Sequence, residues 1–328
     1  MRQLLADCDG QSDIGTRSRK VRRESDGVID VLGLGSVTVD FVGTVPAWPA
    51  RGGKTMLDRF AICDGGLVGT ALVAVSRLGG KAAFAGKLGR SELARRAVEA
   101  FHSESVDTSF VIETQEAEPI VAVILIERRG GQRNIFWTRQ GVQYPMPWEF
   151  PQHDWVRRTR VLLIDFESGP AGIEAARIAR RHNIPVVIDV ERDEPHVAEA
   201  MRVSSHIVVS EEFAGGYTGA GDVMEMLAAL RTDPQQTVIV TRGENGCAGS
   251  SPQGDFTLPA FKVDVVDTTG CGDTFHGAFA LALARGLAVV PAARFASGAA
   301  ALCATQLGGR SGIPTAAQLD RFLNEHTP

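Results

Sequence analysis

The sequence predicts an α/β fold: a doubly wound, mostly parallel sheet carrying a small β-sheet lid. Three observations predict it. Short β-branched runs at residues 28–34, 81–85, 161–165, 185–189, 206–209 and 237–241 are apolar almost throughout, as strands buried on both faces are. They alternate with segments of helical period at 69–78, 92–101, 172–181, 222–230, 271–285 and 291–305, the order of a parallel sheet covered on both sides. Two stretches break that alternation. Residues 41–63 carry Pro46 and Pro49 and then alternate apolar and polar; within 118–140, residues 120–127 and 134–137 form a hairpin across 128–132 with its two adjacent glycines. Neither suits a doubly wound sheet, so together they are read as a lid above the strand ends.

Composition narrows the function. The chain has 328 residues, with 34 basic and 39 acidic side chains and a formal net charge of −5, which argues against nucleic acid or an anionic membrane as the main partner. Its 44% hydrophobic and 22% charged residues are those of a globular chain. The longest uncharged apolar stretch, residues 65–75, falls far short of the ~20 residues of a membrane span. The cysteines at 8, 63, 247, 271 and 303 are scattered without metal-ligand spacing, so a reducing cytoplasm is expected. Residues 1–27 are polar and aperiodic. Their basic cluster (Arg17, Arg19, Lys20, Arg22, Arg23) is flanked by Asp13, Glu24 and Asp26, and the segment is expected to be a flexible leader ahead of one domain at 28–328.

The chemistry concentrates at Asp267-Thr268-Thr269-Gly270-Cys271-Gly272-Asp273, between a run at 261–266, expected to be a strand, and the helix beginning at Cys271. Glycines ahead of a helix let a ligand approach the backbone, and the free N–H groups with the helix dipole then favour an anion. Asp273, in the first turn, can take a proton from a hydroxyl while the amides of Gly270, Cys271 and Gly272 cradle a developing phosphoryl charge. Two other glycine motifs fail. Gly33-Leu34-Gly35 begins like a dinucleotide fingerprint, but Thr38 replaces the third glycine; Gly53-Lys54-Thr55 ends like a P-loop, but its leading glycine would fall at Trp48.

Residues 267–275 resemble the second signature of the ribokinase (PfkB) family of carbohydrate kinases. Gly65-Gly66, then 77–80 and 84–89, resemble its first signature; 241–246 match its T-x-G-x-x-G, and Gly308-Gly309 through Ile313-Pro314 its C-terminal loop. The resemblance implies a ribokinase-like fold and transfer of the γ-phosphoryl of ATP to a sugar hydroxyl with Mg²⁺. It implies Asp273 as base, Gly270, Cys271 and Gly272 as anion hole, and Asp40 as a sugar-hydroxyl acceptor beside the Gly65 and Gly66 backbone. It places Thr241, Gly243, Gly246 and Thr268 at the nucleotide, and Asp267, Glu211 and Glu212 near the magnesium. Asp264 and Val266 fall where some relatives bind a monovalent cation such as K⁺.

Departures bear on the substrate. Where the family has asparagines the chain has Leu67 and Thr70, and its N-x-x-E magnesium motif reads Ser210-Glu211-Glu212-Phe213. The C-terminal half is similar to the sulfofructose kinase branch, in which a lysine, an asparagine and an arginine grip a sulfonate. Lys54 matches the lysine, but Trp137 and Glu167 stand at the other two positions. A carboxylate there would repel an anion by about 4 kcal/mol at ~4 Å and an effective dielectric near 20. A neutral or amino-bearing sugar is therefore expected. The alternatives are sulfofructose or a sugar phosphate bound by Lys54, Arg133 and Arg139, a nucleoside stacked on Phe136 or Trp137, and a non-catalytic sensor. His276 lies one turn past Asp273, Cys271 has a thiol that a helix N-terminus would acidify, and open lid edges predict a homodimer through the lids.

Overall fold

The structure, a computed structural model, describes residues 28–128, 132–146, 149 and 154–326. The leader and the glycine pair of the lid hairpin lie outside them. Among the described residues the strands form two sheets, one of nine strands and one of four.

In the large sheet β1 (Ile29–Leu34) has β4 (Ala82–Leu88) and β5 (Asp107–Glu113) on one side. On the other lie β8 (Thr159–Asp165), β9 (Val186–Val190), β10 (His206–Ser210) and β11 (Thr237–Thr241), all parallel. The β12 (Cys247–Ser251) and β13 (Gly254–Leu258) hairpin extends the far edge antiparallel. Consecutive residues serve opposite cores: Val161 and Leu163 pack on one face of β8, Leu162 and Ile164 on the other. That is why these strands read as unbroken apolar runs. One core is shared with α1 (Leu67–Arg77), α2 (Glu92–Ser103), α8 (Cys271–Ala284) and α9 (Val289–Cys303), the other with α4 (Gly169–Arg181), α5 (Val197–Val203), α6 (Glu211–Thr218) and α7 (Val223–Leu230). Strand order reverses between β1 and β8, and a crevice opens at the carboxyl ends of such strands.

The small sheet runs β3 (Arg59–Gly65), β2 (Thr38–Val45), β6 (Ile120–Glu127), β7 (Arg133–Thr138), from the two segments that break the α/β alternation. It is mixed: β2 pairs with β3 and β6 with β7 antiparallel, but β2 and β6 run parallel. Among the described residues, β5, β12, β13 and the helices α3 (Asp154–Arg157), α5, α6 and α10 (Ala316–Glu325) carry no expectation from the sequence; Leu319 of α10 packs into the α9 core. One expectation is corrected. Residues 261–266 are not a strand but a loop, with Val265 and Val266 exposed, and the amides of Val266 and Asp267 both donate to the Ala304 carbonyl (2.8 and 3.2 Å). No helix among the described residues is long and apolar enough to cross a membrane.

Candidate active site

The glycine turn enters α8 through Gly270, whose φ of +75° only glycine adopts without strain; a Cβ there would also meet the Gly309 carbonyl oxygen at 2.1 Å. The Cys271 N–H turns back to the Thr268 carbonyl at a long 3.3 Å, and Thr274 N–H closes the first helical bond to Gly270. The amides of Gly272 and Asp273 precede that bond and have no helical acceptor, and the Cα of Gly272 faces open space. Asp273 sits half-buried in this turn. Burial, with Asp189, Glu191 and Cys303 close by, pushes its carboxyl well above the usual carboxylate range, and Arg310 opposes them. A proton acceptor therefore stands beside unsatisfied amides at the mouth of a helix.

Asp267 acts as a buckle. Its Oδ1 accepts from the Thr269 amide (3.0 Å) and hydroxyl (2.8 Å), and its Oδ2 from the Gly308 amide (2.9 Å), which binds the turn to the C-terminal loop. From the lid, Arg133 donates to the Thr269 hydroxyl at 2.5 Å and lies 3.8 Å from Asp267. Glu211 is likewise engaged, accepting from Arg242 at 2.9 Å. Of the three carboxylates expected at a metal, Glu212 alone has no hydrogen-bond or ion-pair partner among the described residues. It faces Glu191 across a cavity of about 600 Å³ that Arg192, Ser210 and Tyr217 also line. Burial and Glu212 push Glu191 up, while His276 and Arg192 pull it down. Paired carboxylates on a cavity that reaches the ends of β9 and β10 fit the oxygen preference of Mg²⁺, which keeps several of its own waters. Asp264 and Val266 are exposed.

Thr241 ends β11, and the turn from Gly243 to Gly246 follows, both glycines at positive φ (53° and 79°). Thr268 is exposed one residue past Asp267. On the lid, Asp40, Ala122 and Trp137 are in register and share the face turned to the crevice, as does Arg133. Asp40 lies against Gly65, its carboxyl pushed up by burial and restrained by Thr38 and Arg310. Gly66, at φ +91°, starts α1, and Thr70 is buried in the first turn. Lys54 is exposed in the loop between β2 and β3.

Glu167 overturns the premise drawn from it. Buried on the turn after β8, it accepts from Arg139 Nε at 3.0 Å and from the Tyr144 hydroxyl at 3.3 Å; Arg139 also reaches Glu194 at 3.2 Å. The carboxylate is neutralised and not free to repel an anion. Two guanidinium groups, Arg139 and Arg192, lie 4.9 and 4.5 Å from the Trp137 ring centre. Phe136 points to the opposite side of the lid by strand alternation. The Cys271 thiol is also contrary to expectation: the neighbouring Cys303 sulfur, burial and nearby acids push it up. His276 packs behind the turn, with Nδ1 against the Gly272 carbonyl (2.8 Å) and Asp189 (3.2 Å), and Nε2 against the Val208 carbonyl (3.0 Å).

Sequence reasoning missed four residues here. Asp165, pushed up to about 7 by burial, accepts from the Ser36 amide and hydroxyl (both 2.7 Å) and joins β8 to the start of α1. Asp189 and Glu191 crowd Asp273, and Arg310 reaches in from the C-terminal loop. A lone acid at the end of an apolar strand is the only local signal for the first two; Glu191 and Arg310 have none.

The model of the pfkB family carbohydrate kinases matches residues 29–316. The chain is 26% identical to the ribokinase of Bacillus subtilis over 293 residues, covering 89% of this chain and 98% of that one. It is 28% identical to the aminoimidazole riboside kinase of Salmonella typhimurium over 284 residues (81% and 89%). The Arabidopsis thaliana ribokinase complexed with ribose and ATP shares the fold, with a TM-score of 0.80 at 22% identity over 90% of this chain and 99% of that one. Because that family model spans nearly all of the described residues, the chain belongs to the pfkB family of carbohydrate kinases.

Proposed function

We propose that the chain transfers the γ-phosphoryl group of ATP, as its Mg²⁺ complex, to a primary hydroxyl of a neutral or amino-bearing sugar. The observation that carries this is Asp273: a carboxyl raised by burial and by Asp189 and Glu191, beside amides with no helical acceptor. Asp40 and the Gly65–Gly66 backbone orient the acceptor from the lid side. Asp273 takes the hydroxyl proton, and the Gly272 and Asp273 amides face the charge that develops on the transferred group. Thr241, Gly243, Gly246 and Thr268 would line the phosphates. Glu191 and Glu212 would hold Mg²⁺, which neutralises phosphate charge when bound.

Charge matching supports a sugar without an anionic group. Asp64 pairs with Arg96 (3.0 Å), Glu167 and Glu194 pair with Arg139, and Arg310 faces Asp40 and Asp64, so on the sugar side these four acids at least offset the three guanidinium groups they meet, with Arg192 and Lys54 at its rim. A nucleoside is disfavoured because guanidinium groups already lie over Trp137 and Phe136 faces away. The reducing cytoplasm fits the thiols of Cys247, Cys271 and Cys303, none of them in a disulfide. The outer lid face carries an apolar row across all four strands, Ile62, Phe41, Val123 and Phe136, the last two exposed, and a second copy of this chain is the occupant we assign to it. Val123→Asp should then yield monomers by light scattering, and a wild type already monomeric at micromolar concentration removes that assignment.

The activity is tested by Asp273→Asn. Turnover should fall by about 10²–10⁴-fold while nucleotide affinity holds. A variant within about threefold of wild type ends the role of Asp273. In a panel of hexoses, ketoses, amino sugars, sulfofructose and nucleosides, a KM for sulfofructose well below that for every neutral sugar refutes the substrate class.

A further inference from the structure

Arg310 lies in the loop between α9 and α10, and its side chain returns into the crevice. Nη2 donates to the Gly65 carbonyl at 2.8 Å and Nε to the Thr70 hydroxyl at 3.3 Å; Nη1 has no hydrogen-bond acceptor among the described residues. The guanidinium lies so close over α1 that a Cβ at Gly69 would come within 2.9 Å of Nη2. Its backbone is held too, because the Arg310 carbonyl accepts from Arg77 Nη1 at 2.6 Å and Arg77 is itself bound by Glu104. Among the described residues Arg310 forms no ion pair within 4 Å; its charge is met at longer range by Asp64, Glu104, Asp40 and Asp273.

Asp40 is an acceptor only, whereas a sugar hydroxyl both donates and accepts. The floor of the site has no amide side chain to complete the match, since Leu67 packs into the core and the Thr70 hydroxyl is occupied by Arg310. We propose that Arg310 is the specificity-determining residue of the acceptor site, its braced guanidinium presenting the Nη1 donors to the sugar hydroxyl that donates to Asp40. The gap between the two charged groups, near enough to interact and too wide for an ion pair, is the space that hydroxyl fills. The ligand class is a neutral sugar recognised by one hydroxyl held between an anion and a cation. The inference rests on the sugar-kinase reading above.

A second consequence separates this from a structural role. The groups facing Asp273 are Asp189 and Glu191 from the end of β9, Cys303 from α9, Cys271 from its own turn, and Arg310. Arg310 is the cation among them, so removing its charge makes the base harder to ionise.

The experiment compares wild type, Arg310→Gln and Arg310→Lys by ATP turnover against sugar concentration, nucleotide concentration and pH, with melting temperature as a check on folding. Arg310→Gln should raise the sugar KM about 10- to 100-fold, the worth of a hydrogen bond from a charged donor, with the nucleotide KM within about threefold. Its acid limb should move to higher pH. Arg310→Lys keeps the charge, so its limb should stay at the wild-type position while its sugar KM still rises, because an ammonium cannot span the carbonyl, the hydroxyl and the ligand together. An unchanged sugar KM in Arg310→Gln, or sugar and nucleotide KM rising equally in both variants, overturns the inference alone. A wild type that consumes ATP with no sugar overturns the kinase reading and this inference with it.

Discussion

Replacing Gly270 and Gly272 separately by alanine asks different things of one turn. At Gly270 the new methyl would lie 2.1 Å from the Gly309 carbonyl oxygen, and the backbone is at φ +75°. The left-handed conformation alone costs roughly 1–2 kcal/mol for a residue with a Cβ, and relieving the overlap roughly another 1–3. The relief needs a backbone shift of about 1 Å, and the atoms that must move belong to the loop carrying Arg310 on one side and the turn carrying Asp273 on the other. A misplacement of about 1 Å in a positioned group costs roughly 100-fold in rate. Gly270→Ala should therefore lower the melting temperature by about 5 °C or more and kcat/KM by about 100-fold. At Gly272 nothing lies within 4 Å and φ is not positive, so alanine should hold or slightly raise the melting temperature. Its methyl, however, projects into the open space where the phosphoryl group is assigned, and turnover should fall with stability intact. Calorimetry and coupled ATP turnover on both variants decide the matter. A Gly270→Ala protein with wild-type melting and turnover refutes the close approach, and a fully active Gly272→Ala refutes the assignment of the phosphoryl site.

The remaining predictions concern the groups around that turn. Because burial, Asp189 and Glu191 raise Asp273 in the folded protein, kcat/KM should climb about tenfold per pH unit on the acid side and level well above the pH of an ordinary carboxylate. The native state favours the protonated group, so unfolding free energy falls as pH rises from the unfolded to the folded value; Asp273→Asn should remove the limb and melt higher than wild type at pH 8. Cys271→Ser should keep turnover within about threefold, since the thiol is held protonated and the site uses only the backbone; a larger loss would give the sulfur a role. Glu167→Gln strips a buried carboxylate from Arg139, itself 36% exposed, so water screening leaves a loss of about 1–2 kcal/mol, read as a lower denaturant midpoint. An unchanged midpoint would show that the pair contributes nothing.

The buried strands of the large sheet were legible because each serves two cores and so reads as an uninterrupted apolar run. β12 was not: Cys247–Ser251 is small and polar, yet every residue is buried, because it pairs between β11 and β13 at a covered edge. Residues 261–266 misled for the opposite reason, their valines exposed in a loop whose amides are satisfied by the end of α9. At the site, Asp273 and its glycines announced themselves because a helix start obeys local rules. Glu167 did not, since its partner Arg139 is 28 residues away and the pairing exists only once the lid meets the strand ends. Arg310 is 245 residues from the carbonyl it holds, and no local pattern encodes that contact.

The two halves of the chemistry meet on one strand face. Period-two alternation puts Asp40, Trp137 and Arg133 on the crevice side of the lid, and register sets Asp40 level with Trp137 while Arg133 lies four residues along β7. Asp40 is the group assigned to the acceptor, and Arg133 touches Thr269 in the turn where the phosphoryl charge is assigned. Any movement that lifts the sheet as a unit must withdraw both together, leaving Asp273 with neither an oriented hydroxyl nor the added cation. A one-residue slip of β7 alone would turn Arg133 and Trp137 outward together while Asp40 on β2 kept its place, so the register of β6 with β7 decides whether the cation reaches the turn at Thr269.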